Sequence, residues 1–536
     1  MAQIRYRANL SAKDFVFSSQ DWGRSVVLKQ YDQNFSRQIV SPTDPDKDIG
    51  IPQIFYGHNI MPSAQGFQSV GIKEILANTG ISAPKTAVQV LKWVSTNSFG
   101  YFAITFVSSI GGVSNTYDIY SYSPGISSQW NLLQQVTVPI GTVTVNAKFT
   151  AATVNGLTYV YAPGQGCYSY DGTTWAAVTL TGLTANQISG ITESFGYMLA
   201  WSPTTVAWSS TLTPTDFTPS LITGAGGGSI QGLKGQITYI NHHVFGFVAF
   251  SEFNCVAAVY SGNARYPFNF REIVGGGGIS GSFINTVSLD SETGNLYAFT
   301  TAGLQIVSVT QAQVVFPELT NFIAGSRFED FNDATLQFIS TDVTYTGGIY
   351  KQVTVVANRY LVISYGIQYT LPITYTHALV YDIAMKRWGK IKFTHIQPIE
   401  FTQAANQYIV GTQDQARASL CFMDPSCNIW QIDFSQVATS GGTIILGKYQ
   451  HARDRLITLD QVDIEYCPQS NNLPAINIFP TLDGKTFQAP VALTPLAATS
   501  APQYPTRTTG MNVSVCIQGI FRLDSLMLIY HSNGRR

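Results

Sequence analysis

Two adjacent histidines, His242 and His243, are the first place in this chain where metal or acid–base chemistry could be sought. Neighbours in a strand point to opposite faces, so the pair cannot share one ion, and no HExxH or CxxC spacing supplies further ligands. His58, His377, His395, His451 and His531 are isolated in sequence, and no GxSxG elbow announces a nucleophile. Asp44, Asp46 and Asp48 alternate like the start of a calcium loop, but the required glycine falls on Ile49 and the terminal glutamate on Phe55, so the stretch reads as a solvated turn. Gly276, Gly278 and Gly281 satisfy GxGxxG, yet ISGSFINTVSLD after them alternates like a strand and opens no helix to hold a phosphate.

Two further patterns touch carbohydrate chemistry. SYDGTTW (169–175) resembles the S-x-D-x-G-x-x-W turn of sialidases, but Gly172 follows Asp171 directly, as in a two-residue Asp-Gly hairpin, and TLDGKTF (481–487) repeats that turn. Trp130, Trp175, Trp208, Trp388 and Trp430 could stack sugars; occurring once per recurring segment, they read better as core. The prediction is a chain with no catalytic, cofactor-binding or metal-binding residue, and not an enzyme.

The elements around these residues are hairpins. LTYVYAPGQGCYSYDGTTW (157–175) is apolar and aromatic at period two on both sides of a short turn, and the pattern recurs from residues 117, 197, 245, 296, 378 and 420. The starts lie about 40 to 50 residues apart, the period of four-stranded propeller blades, except for one gap of about 80 before residue 378. A lone hairpin cannot bury its aromatic face, so copies must stack, and radial stacking leaves few open edges. Unrelated hairpins in sandwiches would show the same alternation without a shared period.

Bulk composition fits this reading. Of 536 residues, 45% are hydrophobic and 12% aromatic, which supports large β cores. Charged residues are only 11%, against about 25% in ordinary soluble domains, so the polar surface is built from Ser, Thr, Asn, Gln and Gly and does not repel its own kind. A net charge of -1 gives no global field for nucleic acid or anionic membrane. Cys167, Cys255, Cys421, Cys427, Cys467 and Cys516 read as buried thiols of a reducing cell. The start MAQIRYRANLSAKDF has no apolar run behind it, and no window approaches 18 apolar residues, so neither a secretory signal nor a membrane span is expected.

Along the chain, residues 1–80 are proline-interrupted and read as an extended arm; residues 81–440 carry the hairpins, with an inserted hairpin region near 335–375; and residues 441–536 read as a small C-terminal β domain. The expected fold class is all-β, a β-propeller of about six to seven blades with an arm and a terminal β domain.

Five segments together resemble the tail nozzle, or tail tubular and stabilisation, proteins of short-tailed bacteriophages (podoviruses): NLSAKDFVFSSQDWGRSV (9–26), IPQIFYGHNIMPSAQGFQSVG (51–71), VAWSSTLTPTDFTPS (206–220), YSGNARYPFNFREI (260–273) and LVYDIAMKRWGKI (379–391). They span about two thirds of the chain and contain no short catalytic signature. The resemblance implies a structural virion protein made in the host cytoplasm and placed in the virion tail. It implies a homo-oligomeric ring, expected to be a hexamer, below the portal and adaptor (head-to-tail connector) proteins, with tail fibre or needle proteins as further partners and double-stranded DNA in transient passage during genome ejection. Near-neutral charge suits a conduit, because neutralising 6 to 10 phosphates would hold DNA with affinity changing by about 10³ to 10⁵ over ordinary salt. Two rival readings are a propeller lectin or adhesin binding surface carbohydrate, and a sialidase-like glycoside hydrolase with paired acids about 5 to 10 Å apart.

Overall fold

Hairpins legible in the sequence turn out to be parts of larger meanders. The computed structural model describes residues 4–9, 54–63, 66–82, 85–139, 148–184, 187–263, 265–279, 287–317, 327–342, 350–366, 373–401, 420–434, 441–449, 455–466, 473–481, 488–496 and 503–535. Among these residues the chain is all-β, with antiparallel sheets and no α-helix, and hence no helix long and apolar enough to cross a membrane.

Among the described residues six four-stranded meanders follow one another in sequence, and a seventh set of four strands closes the series. Sheet I is Thr86–Val94, Phe99–Ile110, Ser114–Tyr122 and Asn131–Pro139; sheet II is Thr150–Val154, Leu157–Ala162, Gly166–Tyr170 and Trp175–Val178. Sheet III is Gly190–Ser194, Tyr197–Trp201, Val206–Trp208 and Gly226–Gly228; sheet IV is Ile237–His243, Gly246–Ser251, Cys255–Tyr260 and Phe268–Glu272. Sheet V is Val287–Asp290, Asn295–Thr300, Gly303–Val307 and Ala312–Val314; sheet VI is Tyr350–Val356, Tyr360–Gly366, Tyr375–Asp382 and Arg387–His395. Sheet VII is Gln397–Glu400, Leu420–Met423 and Ile429–Asp433, with its fourth strand, Gly71–Leu76, taken from far upstream in the chain.

Why these strands are apolar at nearly every position follows from where their two faces go. In the second strand of sheet II, Val160 and Ala162 enter a core shared with sheet I, while the alternate residues Tyr159 and Tyr161 enter a core shared with sheet III. The pattern repeats in sheet IV, where Phe247 and Ala249 face sheet III and Val248 and Phe250 face sheet V. A strand buried on both faces reads as a continuous apolar run with period-two division of labour. Separate cores lie between V and VI and between VI and VII, and another joins Ile399, Cys421 and Ile429 of VII to Val90, Tyr101 and Tyr120 of I. First strands also pack in order, I on II, II on III and so on, and the first strand of VII packs on that of I.

Five of the recurring sequence hairpins are the second and third strands of sheets II, III, IV, V and VII, the two with a strand partner on each side. Those beginning at residues 117 and 378 are the third and fourth strands of I and VI, one hairpin too late. The wide gap before residue 378 therefore needs revision. Tyr350–Val356 and Tyr360–Gly366, read as an insertion near 335–375, are the regular opening strands of sheet VI, and the pair that stands outside the series is Arg327–Asn332 with Gln337–Asp342.

The C-terminal strands form two layers. One sheet runs Ile54–His58, Gly442–Tyr449, Asn512–Gly519, Ala475–Thr481, Val491–Leu493. The other continues from sheet VI through Ile60–Pro62 and Phe67–Ser69 to Arg522–Arg535, Arg455–Tyr466 and Gln503–Gly510, with Ile4–Asn9 also pairing to Arg522–Arg535. Ile444, Val515 and Ile517 from the first layer and Leu459, Val462 and Leu528 from the second fill the space between them. The expected arm of residues 1–80 thus divides between these layers and sheet VII, while residues 10–53 lie outside the described residues.

Candidate functional site

The residues singled out for chemistry sit mostly in structural roles. His242 is half-buried and places Nδ1 3.1 Å from the Glu193 carbonyl oxygen and 3.7 Å from its carboxylate. His243 is buried against Phe245, with ring centroids 3.7 Å apart; burial, followed by the charge of His242, pulls its pKa down to about 4. Asp171 accepts hydrogen bonds from the Thr173 and Thr174 amides at 2.8 and 2.7 Å and from the Thr173 hydroxyl at 2.8 Å, so this carboxylate is engaged in a turn and held below the usual range by those donors. Gly278 marks close approach of two backbones, since a Cβ there would run into Glu252, and Gly276 lies equally close to Cys255 Sγ. Gly281, Asp44, Asp46, Asp48, His451 and Cys467 lie outside the described residues, as does the turn of residues 482–487. Among the described residues no three His, Cys, Asp or Glu side chains group as metal ligands.

The tryptophans divide between core and anchoring. Trp130 is fully buried, Trp175 packs on Tyr168 at 5.2 Å, and Trp388 packs on Tyr381 at 4.9 Å. Trp208 donates Nε1–H to the Gly224 carbonyl at 2.9 Å, and Trp430 donates to Asp424 Oδ2 at 2.9 Å, tying strands to their own connections. His395 is buried between Ser364 Oγ, 2.7 Å from Nε2, and the Phe393 carbonyl, 2.7 Å from Nδ1; burial brings its pKa to about 4. The described cysteines are buried, and burial raises the thiols of Cys167 and Cys255 to about 12.

What sequence reasoning missed is a run of polar clamps along the first strands. Gln89 of sheet I bridges both backbone groups of Phe149, just before sheet II, at 2.8 and 3.0 Å. Thr150 Oγ1 of II accepts from the Ile191 amide of III at 2.8 Å, and Ser194 Oγ of III donates to the Gly246 carbonyl of IV at 2.7 Å. Ser288 Oγ of V accepts from the Val355 amide of VI at 2.9 Å, Gln352 Nε2 of VI donates to the Ile396 carbonyl at 2.8 Å, and Gln397 Oε1 of VII accepts from the Val90 amide of I at 3.2 Å. Each satisfies a backbone group where strands of different sheets meet, which a ladder within one sheet cannot do. Isolated Gln, Ser and Thr inside apolar runs were the available signal.

Two lysines stand at the same edge without a carboxylate among their described contacts. Lys148 places Nζ 3.5 Å from the centroid of Tyr239, two sheets away, and Lys351 sits 5.1 Å from the Phe299 ring. Burial lowers Lys148 to about 7 and Lys351 to about 8, and it raises Tyr239 to about 12.

A contrasting surface lies on the connections between third and fourth strands. In sheet III, Leu212 is 83% and Ile222 94% exposed, with Leu221 also in water; in sheet IV, Tyr266 is exposed. Three of the resembling segments cover third-to-fourth strand regions, 206–220 in III, 260–273 in IV and 379–391 in VI. A fourth, 51–71, meets sheet VI where Arg387 Nη1 donates to the Ser63 carbonyl at 2.7 Å and the Lys392 amide to Asn59 Oδ1 at 3.0 Å. The segment 9–26 lies outside the described residues except for Asn9.

No protein-family model and no curated protein matches this chain. Solved structures similar to it include the extracellular domain of a one-component system of B. thetaiotaomicron, at 12% identity and a TM-score of 0.36 over 80% of this chain and 50% of that one. The computationally designed Ika8 protein matches at 9% identity and a TM-score of 0.33, over 68% of this chain and 100% of its own. The extracellular domain of a hybrid two-component system of B. thetaiotaomicron matches at 10% identity and a TM-score of 0.27, over 66% of this chain and 57% of its own. This chain therefore spans about half the length of the first.

Proposed function

We propose that this chain is a structural ring subunit of the tail nozzle of a short-tailed bacteriophage, attached below the portal and adaptor and serving as a conduit for the genome. The observation that carries the reading is the exposure of Leu212, Leu221, Ile222 and Tyr266 on third-to-fourth strand connections, within or beside the segments that resemble nozzle proteins. Contiguous apolar surface in water marks contact sites, and in this reading these side chains are parts of such a surface. A chain with only 11% charged residues favours such contacts, and a net charge of -1 leaves passing DNA weakly held.

Within this reading the seven meanders are the blades of a propeller. Its support is the cycle of first-strand packing, the clamp from Gln397 to Val90, and the borrowing of Gly71–Leu76 by sheet VII, which ties distant parts of the chain together. The two C-terminal layers then form a second module joined to the sixth blade, and the subunit acts without catalysis, through assembly.

Assembly in place of the native chain tests the contact surface. Particles made with a Leu212→Asp, Ile222→Asp double variant are expected to lack this chain on immunoblots of sedimented virions, while the soluble variant keeps its melting temperature. Incorporation equal to that of the native protein would contradict the proposal.

A further inference from the structure

The hairpin Arg327–Asn332 with Gln337–Asp342 pairs with no other sheet, yet its tip reaches the C-terminal layer Ile54–His58, Gly442–Tyr449, Asn512–Gly519. Asn332 Oδ1 accepts from the Ala334 and Thr335 amides at 3.0 and 3.2 Å, and this turn presents Asp333. Its carboxylate then gathers three donors. Thr443 Oγ1 donates to Oδ1 at 2.6 Å, Gln518 Nε2 to the same oxygen at 3.1 Å, and His58 Nε2 lies 3.0 Å from Oδ2.

These donors form one cross-strand row. His58 is the register partner of Thr443, and Thr443 of Gln518, so three adjacent strands each contribute one side chain to the same face. Two residues along, on that same face, Tyr56, Ile445 and Cys516 make an apolar row over which Leu336 packs. A carboxylate with a leucine three positions later thus matches a polar row beside an apolar one. Cys516 is completely buried beneath this contact, and its thiol is raised beyond the usual range by burial and by the charge of Asp333.

We infer that this hairpin is a releasable strap, clasped onto the C-terminal layer by Asp333 and Leu336, whose opening uncovers the row Tyr56, Ile445, Cys516. The clasp is local: among the described residues the hairpin has no ladder to any neighbouring sheet, and Asp333 and Leu336 of its turn join it to the C-terminal layer. Elements held by few contacts open without global unfolding.

Cys516 reports the opening. In the full-length protein, alkylation by iodoacetamide followed by mass spectrometry gives a rate for each cysteine, and the buried Cys255 and Cys421, far from the strap in sheets IV and VII, act as internal references. Asp333→Ala is expected to speed alkylation of Cys516 about tenfold or more, the effect of losing a charge-assisted set of hydrogen bonds, with both references unchanged. Thr443→Val and Leu336→Ala keep the Asp333 charge and should each give a smaller rise at Cys516 alone; they decide the matter, because Asp333→Ala also removes a charge that holds the thiol protonated. An unchanged Cys516 rate in these variants, or a rise shared by all three thiols, would overturn the inference.

Discussion

First strands and third-to-fourth strand connections of the same sheets have opposite character. Along the first strands, Gln89, Thr150, Ser194, Ser288, Gln352 and Gln397 each reach a backbone group in or at the edge of the next sheet. On the connections, large apolar residues such as Ile222 and Leu212 face water with nothing over them in the isolated chain. A buried polar atom left unpaired costs more than an exposed apolar one, so selection for folding acts on the first region, and the second stays open to other uses. The comparison teaches that polar clamps between sheets gather along the first strands, while third-to-fourth strand connections leave large apolar side chains in water.

Among single substitutions the largest expected break in this contrast is at Trp93, fully buried in the first strand of sheet I with its ring edge-on to Tyr170 of sheet II at 5.0 Å. Trp93→Ala should cost about 3–5 kcal/mol, read as a lowered denaturant midpoint. Acid is next. His243 and His395 have pKa values lowered by burial from 6.5 to about 4, so the unfolded chain takes up protons that the folded chain refuses. The stability they confer is complete above about pH 6.5 and is lost as pH falls toward 4, at roughly 1.4 kcal/mol per pH unit for each imidazole. Denaturant titrations at neutral and mildly acid pH, with a His395→Gln variant showing a shallower loss, check the sign and the source. Smaller still, Gln397→Leu strands the buried Val90 amide and should cost about 1–3 kcal/mol. Ile222→Ser should leave stability within about 0.5 kcal/mol. Equal costs for these last two would erase the contrast between the regions.

Much of the fold was legible because strands enclosed on both faces are dense in Val, Tyr, Phe and Ala. LTYVYA and YMLAW declare themselves by composition alone, and their spacing exposes the repeat. Fourth strands did not show. Gly226–Gly228 has no side chains to form a pattern, and Gly71–Leu76 lies over 350 residues from Ile429–Asp433, its partner, so no local signal could join them. Hairpins in I and VI were shifted by one because the aromatic period-two pattern was picked up at Tyr117 and Ala378, which lie in third strands. The clamps were invisible for another reason: a lone glutamine in an apolar strand looks the same whether it meets a neighbouring backbone or a ligand, and only placement distinguishes them. The strap, likewise, joins His58, Asp333, Thr443 and Gln518, four residues spread over most of the chain.

The most direct test of the nozzle reading is electron microscopy of particles purified from the source and labelled with an antibody against this chain. Label at the distal end of a short tail is the predicted result. Label on peripheral fibres, or none on particles at all, would contradict it.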